Sequence, residues 1–137
     1  NTDSTVKGQS VFLAERASEL MQENIITDRT ILDVMAFARC SKSMNFIEAD
    51  DFCTFASNML SEYDFIFYIL PEGVEIEDNG VRETDAEYRE LINQNIELLI
   101  TKYRHKIKNL VEIKGSTKER TNTVLQSLYD IYNKNTQ

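Results

Sequence analysis

The apolar run FIFYIL, from Phe65 to Leu70, restricts the fold of this chain more than any other segment. Aromatic and β-branched residues favour extended backbone, and Pro71 cannot donate the hydrogen bond that would continue a strand. An apolar run without polar alternation is typical of a strand that is buried on both faces of a parallel sheet. This segment therefore predicts a central parallel strand.

Two further segments are predicted to be strands, and helical segments separate the three. Asn24 to Thr27 is a short β-branched run, and Asn109 to Gly115 reads NLVEIKG. Apolar residues recur at helical spacing in residues 11–23, 30–40, 47–61, 84–105 and 116–132. Alternating strands and helices predict an α/β fold in which helices cover a parallel sheet.

The composition is that of one ordered domain. The 137 residues are 42% hydrophobic, so we expect a single domain over residues 1–137. A net charge of -8 argues against general binding to nucleic acid or to an anionic membrane, because both need a basic surface. Cys40 and Cys53 lack metal-ligand spacing, and no apolar run reaches the roughly 20 residues of a membrane span. We expect a cytoplasmic protein, for which a homodimer remains open.

Charged and small residues follow each predicted strand. Asp28 and Arg29 end the first strand, Pro71 to Arg82 follow the second, and Gly115 with Ser116 follow the third. The ligand crevice of an open parallel sheet lies at the carboxyl ends of its strands. We therefore expect the three strand ends to face one crevice.

The neighbouring residues Asp28 and Arg29 have two interpretations. A carboxylate at a strand end can accept a proton from a substrate hydroxyl or hold a water of Mg²⁺, and a guanidinium can bind phosphate through two hydrogen bonds. Alternatively, Asp28 caps the following helix and Arg29 pairs with Asp33, which contributes only about 0.2–0.5 kcal/mol. The local sequence favours neither interpretation.

Residues 73–90 are predicted to form a lid-like loop and the start of a helix. Arg82 lies beside the turn signal Asn79-Gly80, and Arg89 lies seven residues later. Arginines on such a loop can close over a polyphosphate and stabilise the charge that develops in phosphoryl transfer. The alternative is a solvated charged loop, which the local sequence alone favours.

Three segments, in order, resemble the P-loop nucleoside and nucleotide kinases. DRTILDVMAFA (28–38) is similar to the strand-to-helix segment of that family, YDFIFYILPEGVEIEDNGVRETDAEYRE (63–90) resembles its next strand and arginine-bearing lid, and VEIKGSTKERTNTVL (111–125) resembles its last strand and the turn near the adenine. The similarity is closest to the AAA-type domains related to nicotinamide-riboside kinase and covers residues 12–128. It implies a P-loop NTPase-like three-layer α/β sandwich with a parallel sheet.

The resemblance also implies an activity and roles for single residues. The activity is phosphoryl transfer from ATP, with Mg²⁺, to a nucleoside, a nucleotide or a similar small acceptor. Asp28 would be the catalytic carboxylate, or would hold Mg²⁺ through a water, and Arg29 would bind phosphate. Arg82 would be a catalytic lid arginine that binds phosphate, with Arg89 as a second phosphate ligand.

Further positions refine what the resemblance implies. Gly115 and Ser116 would lie along the nucleotide base. Ala38 occupies the position where thymidylate kinases carry a base-reading Gln, so thymidylate specificity is not implied. The motif G-x-x-x-x-G-K-[ST] is missing, since Gly8 is the only glycine before Gly73. Without that loop the phosphates have no backbone cradle, so these residues alone are not expected to catalyse the transfer.

Two hypotheses follow. In the first, the chain is the C-terminal part of a P-loop kinase, and roughly 40 to 70 upstream residues supply the phosphate loop and the strand between the first two predicted strands. If residues 1–137 fold alone, those two strands must pair directly. In the second, the chain is a non-catalytic binding or regulatory module on a kinase-like scaffold.

Overall fold

The computed structural model describes residues 5–70 and 83–135. Those residues form an α/β structure that is mostly helical and contains a small parallel sheet. Its elements in chain order are α1 (Val6–Glu19), α2 (Ile31–Cys40), α3 (Phe46–Ser57), β1 (Ile66–Ile69), α4 (Glu83–Tyr103), β2 (Leu110–Ile113) and α5 (Thr117–Asn135). Short 3₁₀ turns lie at Leu60–Glu62 and Arg104–Lys106. No helix in the described ranges combines the length and apolar character needed to cross a membrane.

The described residues separate into two compact units. Residues 5–64 and 83–108 form a helical unit, and residues 65–70 and 109–135 form a unit that contains the sheet and α5. The expected single domain over residues 1–137 stays a prediction.

Helix α2 is the centre of the helical unit. It packs against α1, α3 and α4, and seven of its ten residues are buried. Ile31 and Met35 are fully buried, and each such side chain stabilises the fold by roughly 1.5–3 kcal/mol. This burial confirms the sequence-based prediction of a helix that its neighbours cover on nearly all sides.

Helix α1 begins and ends earlier than the periodicity predicts. The Thr5 hydroxyl oxygen accepts a hydrogen bond from the Gly8 N–H at 3.2 Å, so the helix starts at Val6 rather than near Val11. It ends at Glu19, and the next backbone N–H groups donate to carbonyl oxygens three residues earlier. Asn24 then adopts a left-handed φ of 57°. The prediction of helix to Glu23 is therefore wrong at its end, because apolar spacing does not report where the backbone turns.

The sheet consists of β1 and β2, which pair in parallel. Ile66 is opposite Leu110, and Ile69 is opposite Ile113. The Leu70 N–H extends the pairing by donating to the Ile113 oxygen at 2.9 Å. The second and third predicted strands and their parallel direction are thus confirmed. The expected burial of the second strand on both faces is wrong, since Ile66 is the only buried residue of β1 and Ile69 is 49% exposed. The finer assignment to a P-loop sandwich remains a proposal.

The first predicted strand, Asn24 to Thr27, is wrong. These residues form no strand, and Ile26 is 84% exposed. The expectation that this segment would pair directly with the central strand is also wrong, since β1 pairs with β2. Strand propensity reflects how well a side chain fits a half-buried sheet surface. Here the left-handed backbone at Asn24 interrupts the extended conformation that pairing requires.

Candidate anion-binding site

The turn between α1 and α2 carries Asp28 and Arg29. The Thr27 hydroxyl donates to the backbone carbonyl oxygen of Arg29 at 3.0 Å. Arg16 Nη1 on α1 donates to the backbone carbonyl oxygen of Asp28 at 3.3 Å. These bonds hold the turn from both sides. Asp28 and Arg29 are both exposed, so their side chains are accessible to a ligand.

Thr30, and not Asp28, caps helix α2. The Thr30 hydroxyl oxygen accepts from the Leu32 N–H at 3.1 Å, and the Asp33 carboxylate accepts from the Thr30 N–H at 2.7 Å. This reciprocal capping box satisfies donors at the helix start. The alternative in which Asp28 caps the helix is therefore wrong. The expected pair of Arg29 with Asp33 is not formed, since no ion pair within 4 Å joins them.

The backbone N–H groups at the start of α2 already have acceptors. The Ile31 N–H donates to the Tyr63 hydroxyl at 3.0 Å, and the Asp33 N–H donates to the Thr30 oxygen at 3.1 Å. A bare helix N-terminus binds anions through such groups. Because these groups already have acceptors, the arginine side chains beside the helix are the candidate ligands for an anion.

Arg29 has an unusual backbone conformation. Its φ of 75° lies in the left-handed region, which costs an L-residue other than glycine roughly 1–2 kcal/mol. The guanidinium carbon lies 5.8 Å from the centre of the Phe37 ring. Within the described part of the chain, no carboxylate forms an ion pair with Arg29. The strained backbone thus presents a cation that contacts an aromatic face and that forms no ion pair within 4 Å in the described residues.

A cavity of about 230 Å³ lies between α1 and the start of α2. Its lining includes cationic, apolar and hydrogen-bonding groups from both elements, among them Gln9, Phe12, Arg16, Arg29, Asp33 and Phe37. Arg16 forms an ion pair with Glu19 at 3.0 Å, which keeps its guanidinium in place. The cavity is therefore lined by two guanidinium groups and two aromatic rings.

Gln9 and Arg16 are polar residues of this cavity that the sequence-based predictions did not name. Gln9 is the one with an unpartnered atom. Its side chain is 1% exposed, and its carbonyl oxygen Oε1 is buried without a hydrogen-bond partner. A buried polar atom of this kind costs roughly 1–3 kcal/mol when it has no partner. Positions 9, 12 and 16 share one face of a helix, so a helix extended to Val6 would have pointed to Gln9.

Burial controls the ionisation of Asp33. Loss of solvent raises the pKa of the Asp33 carboxyl above its usual 3.8, although the Thr30 N–H and the positive charge of Arg29 act in the opposite direction. Because the carboxylate already accepts the Thr30 N–H, it serves the helix cap. Asp33 therefore lines the cavity but has a structural role in the helix cap.

The other predicted site residues are distributed over both units. Arg89 is exposed on α4 of the helical unit, whereas Arg82 and most of the lid-like segment lie outside the described residues. Gly115 and Ser116 belong to the sheet unit, where Gly115 has a φ of 98° and the Ser116 hydroxyl oxygen accepts from the Glu119 N–H at 3.2 Å. Ser116 thus caps α5 as its sequence spacing predicts. The nucleotide roles of these four residues stay predictions.

The Mg²⁺ role that the resemblance implies for Asp28 stays a prediction. Among the described residues, no three acidic, histidine or cysteine side chains cluster as metal ligands would. Mg²⁺ in phosphoryl-transfer sites is commonly bound by one or two carboxylates together with substrate phosphates and waters. The single exposed carboxylate of Asp28 suits that arrangement.

Comparisons of the chain with protein-family models, with curated proteins and with solved structures found no match.

Proposed function

We propose that the chain forms the acceptor-binding part of a cytoplasmic P-loop kinase that transfers a phosphoryl group from ATP to a nucleoside, a nucleotide or a similar small acceptor. The observation that carries the proposal is the cavity whose lining includes both Arg16 and Arg29. Guanidinium groups bind phosphate through pairs of hydrogen bonds. The order of the kinase-like segments and the parallel pairing of β1 with β2 agree with this proposal.

Each site residue has a role in the proposed reaction. Arg29 binds the phosphate of the acceptor, and Arg16 adds a second positive charge. Asp28 accepts the proton of the attacking group or holds a water of Mg²⁺, which neutralises charge on the phosphates when it is bound. Arg82 and Arg89 act from the lid, and the turn at Gly115 and Ser116 binds the nucleotide base of ATP.

The test is a coupled assay of ADP release with the complete gene product, ATP, Mg²⁺ and a panel of nucleosides and nucleoside monophosphates. Asp28→Asn is expected to abolish turnover and to leave the melting temperature unchanged, because Asp28 is exposed. Asp51→Asn, which changes another exposed carboxylate on α3, is the matched control and keeps full activity. Full activity of Asp28→Asn would contradict the proposed role of that residue.

A non-catalytic binding module is the second candidate, and one observation favours it. The Asp28 side chain is not part of the cavity lining, and the carboxylate that is, Asp33, already caps α2. The cavity therefore offers groups that can bind a ligand, but its one carboxylate is already used in the helix cap. Tight binding of a nucleotide without any ADP release from the complete gene product would establish this function instead.

A further inference from the structure

We infer that Tyr63 is a positioning residue of the candidate site, because its hydroxyl fixes the start of α2 and thereby the place of the Arg29 guanidinium. This role rests on the proposed function, in which Arg29 binds the phosphate of the acceptor. Tyr63 itself lies outside the cavity lining. A change at Tyr63 is therefore expected to alter anion binding only through Arg29.

Arg29 lies in a turn that needs outside support. Its φ of 75° is left-handed, and a strained backbone of this kind persists only where the surrounding structure holds it. The next residue, Thr30, has the extended backbone of an N-cap, with a φ of −132° and a ψ of −178°. Two different conformations thus follow each other directly before α2, and both must be fixed for the Arg29 side chain to keep its direction.

The peptide groups on either side of Arg29 are each held by one hydrogen bond. The Asp28 carbonyl oxygen accepts from Arg16 Nη1 at 3.3 Å, and the Arg29 carbonyl oxygen accepts from the Thr27 hydroxyl at 3.0 Å. Side chains that are themselves held by hydrogen bonds keep a binding group in its productive geometry. These two bonds do not reach the next peptide group along the chain, where α2 starts.

Tyr63 holds that next peptide group from a distant part of the chain. Its hydroxyl oxygen accepts from the Ile31 N–H at 3.0 Å, across 32 positions of the sequence. Ile31 is fully buried, so solvent water does not replace this acceptor. Without the hydroxyl, the N–H stays unpaired unless the start of α2 shifts, and such a shift moves Thr30 and Arg29 with it.

The electrostatic surroundings of Tyr63 are those of the site. Burial raises the pKa of the Tyr63 hydroxyl above its usual 10.0, although the Ile31 N–H lowers it. The charges of Glu19 and Asp33 also raise this pKa, and that of Arg16 lowers it. The hydroxyl therefore stays protonated at neutral pH and adds no negative charge that would repel an anion.

An NMR titration of the full chain with inorganic phosphate at constant ionic strength tests this role. Measurement far below the melting transition keeps every variant folded, so that a loss of stability alone does not lower the affinity. Tyr63→Phe removes only the hydroxyl and is expected to bind phosphate about 10-fold more weakly, which corresponds to roughly 1.4 kcal/mol. Tyr103→Phe makes the same change at a buried tyrosine of α4 outside the cavity lining, and this matched control should bind phosphate as the unmodified chain does.

A double-mutant cycle with Arg29→Gly separates positioning from a general loss of structure. If Tyr63 acts through Arg29, Tyr63→Phe should weaken phosphate binding in the unmodified chain and have almost no further effect beside Arg29→Gly. Residues that act as a unit give such non-additive effects, whereas independent losses of structure add. Melting curves establish that each variant is folded.

Three results would overturn the role of Tyr63: phosphate binding by Tyr63→Phe at the affinity of the unmodified chain, an equal loss beside Arg29→Gly, or failure of Tyr63→Phe to fold, which would show a structural role alone. Absence of phosphate binding by the unmodified chain would also contradict it. The proposed function is decided separately by ADP release. A kinase whose Tyr63→Phe variant binds phosphate normally refutes only the positioning role, and a chain that shows the coupling without ADP release refutes only the kinase.

Discussion

Replacement of Arg29 should affect the stability of the chain and its affinity for a phosphate monoester differently. With a φ of 75°, Arg29 pays roughly 1–2 kcal/mol for a left-handed backbone. Glycine removes this cost but gains conformational freedom in the unfolded chain, which offsets about 0.4–1 kcal/mol. Either glycine or alanine also loses the contact with the Phe37 ring, worth about 0.5–1 kcal/mol at an exposed site.

These terms predict a definite order of stability. Arg29→Gly is expected to lie near the unmodified chain, because the relief of strain and the two losses nearly cancel. Both variants lose the ring contact, but only glycine relieves the strained backbone, so the free energy of unfolding of Arg29→Ala should be about 1 kcal/mol lower than that of the glycine variant. Urea unfolding measures this difference as a shift of the transition midpoint at constant m-value.

Ligand binding should respond differently from stability. Both variants are expected to lose about 10-fold to 100-fold in affinity for a phosphate monoester, since a charge-assisted hydrogen bond contributes roughly 1.5–3 kcal/mol. Asn24→Gly is the matched control: it also changes a left-handed residue, with a φ of 57°, but it does not line the cavity and should not affect binding. An alanine variant as stable as the glycine variant, or unchanged binding by Arg29→Gly, would refute this reasoning.

Three further predictions concern the surroundings of the cavity. Thr30→Ala should lower the free energy of unfolding by about 1 kcal/mol, measured in urea, because the Leu32 N–H loses its cap, and Thr30→Ser should restore most of it. Burial raises the pKa of Asp33, so the folded chain binds its proton more tightly than the unfolded chain does. The free energy of unfolding should therefore fall as pH rises from 3.8 through the higher folded-state pKa of Asp33. Urea titrations at several pH values should show this slope for the unmodified chain and not for Asp33→Asn. Burial also raises the pKa of the Cys53 thiol to about 11. The buried Cys53 should therefore react with a disulfide reagent at pH 8 only after unfolding. A kinetic thiol titration with and without urea measures this difference.

The sequence alone determined those elements whose signals are local. The apolar run before Pro71 and the segment around Val111 contain aromatic and β-branched residues that favour extended backbone, and they pair in parallel as expected. The spacing of Ser116 and Glu119 likewise marks the start of α5. Such features depend on neighbouring residues, so a pattern of a few positions is sufficient to predict them.

Tertiary structure decided the outcome where a residue needs a distant partner. Asn24 to Thr27 has strand propensity, but a strand exists only when another strand supplies hydrogen bonds, and the backbone turns at Asn24 instead. The cavity likewise depends on how α1 packs against α2, which brings Gln9 to Arg29 across 20 positions of the sequence. Periodicity reports which face of a helix is apolar and not which polar atom that face leaves without a partner. Only the packed structure shows that the Gln9 oxygen is unpartnered and that Gln9 lines the same cavity as Arg29.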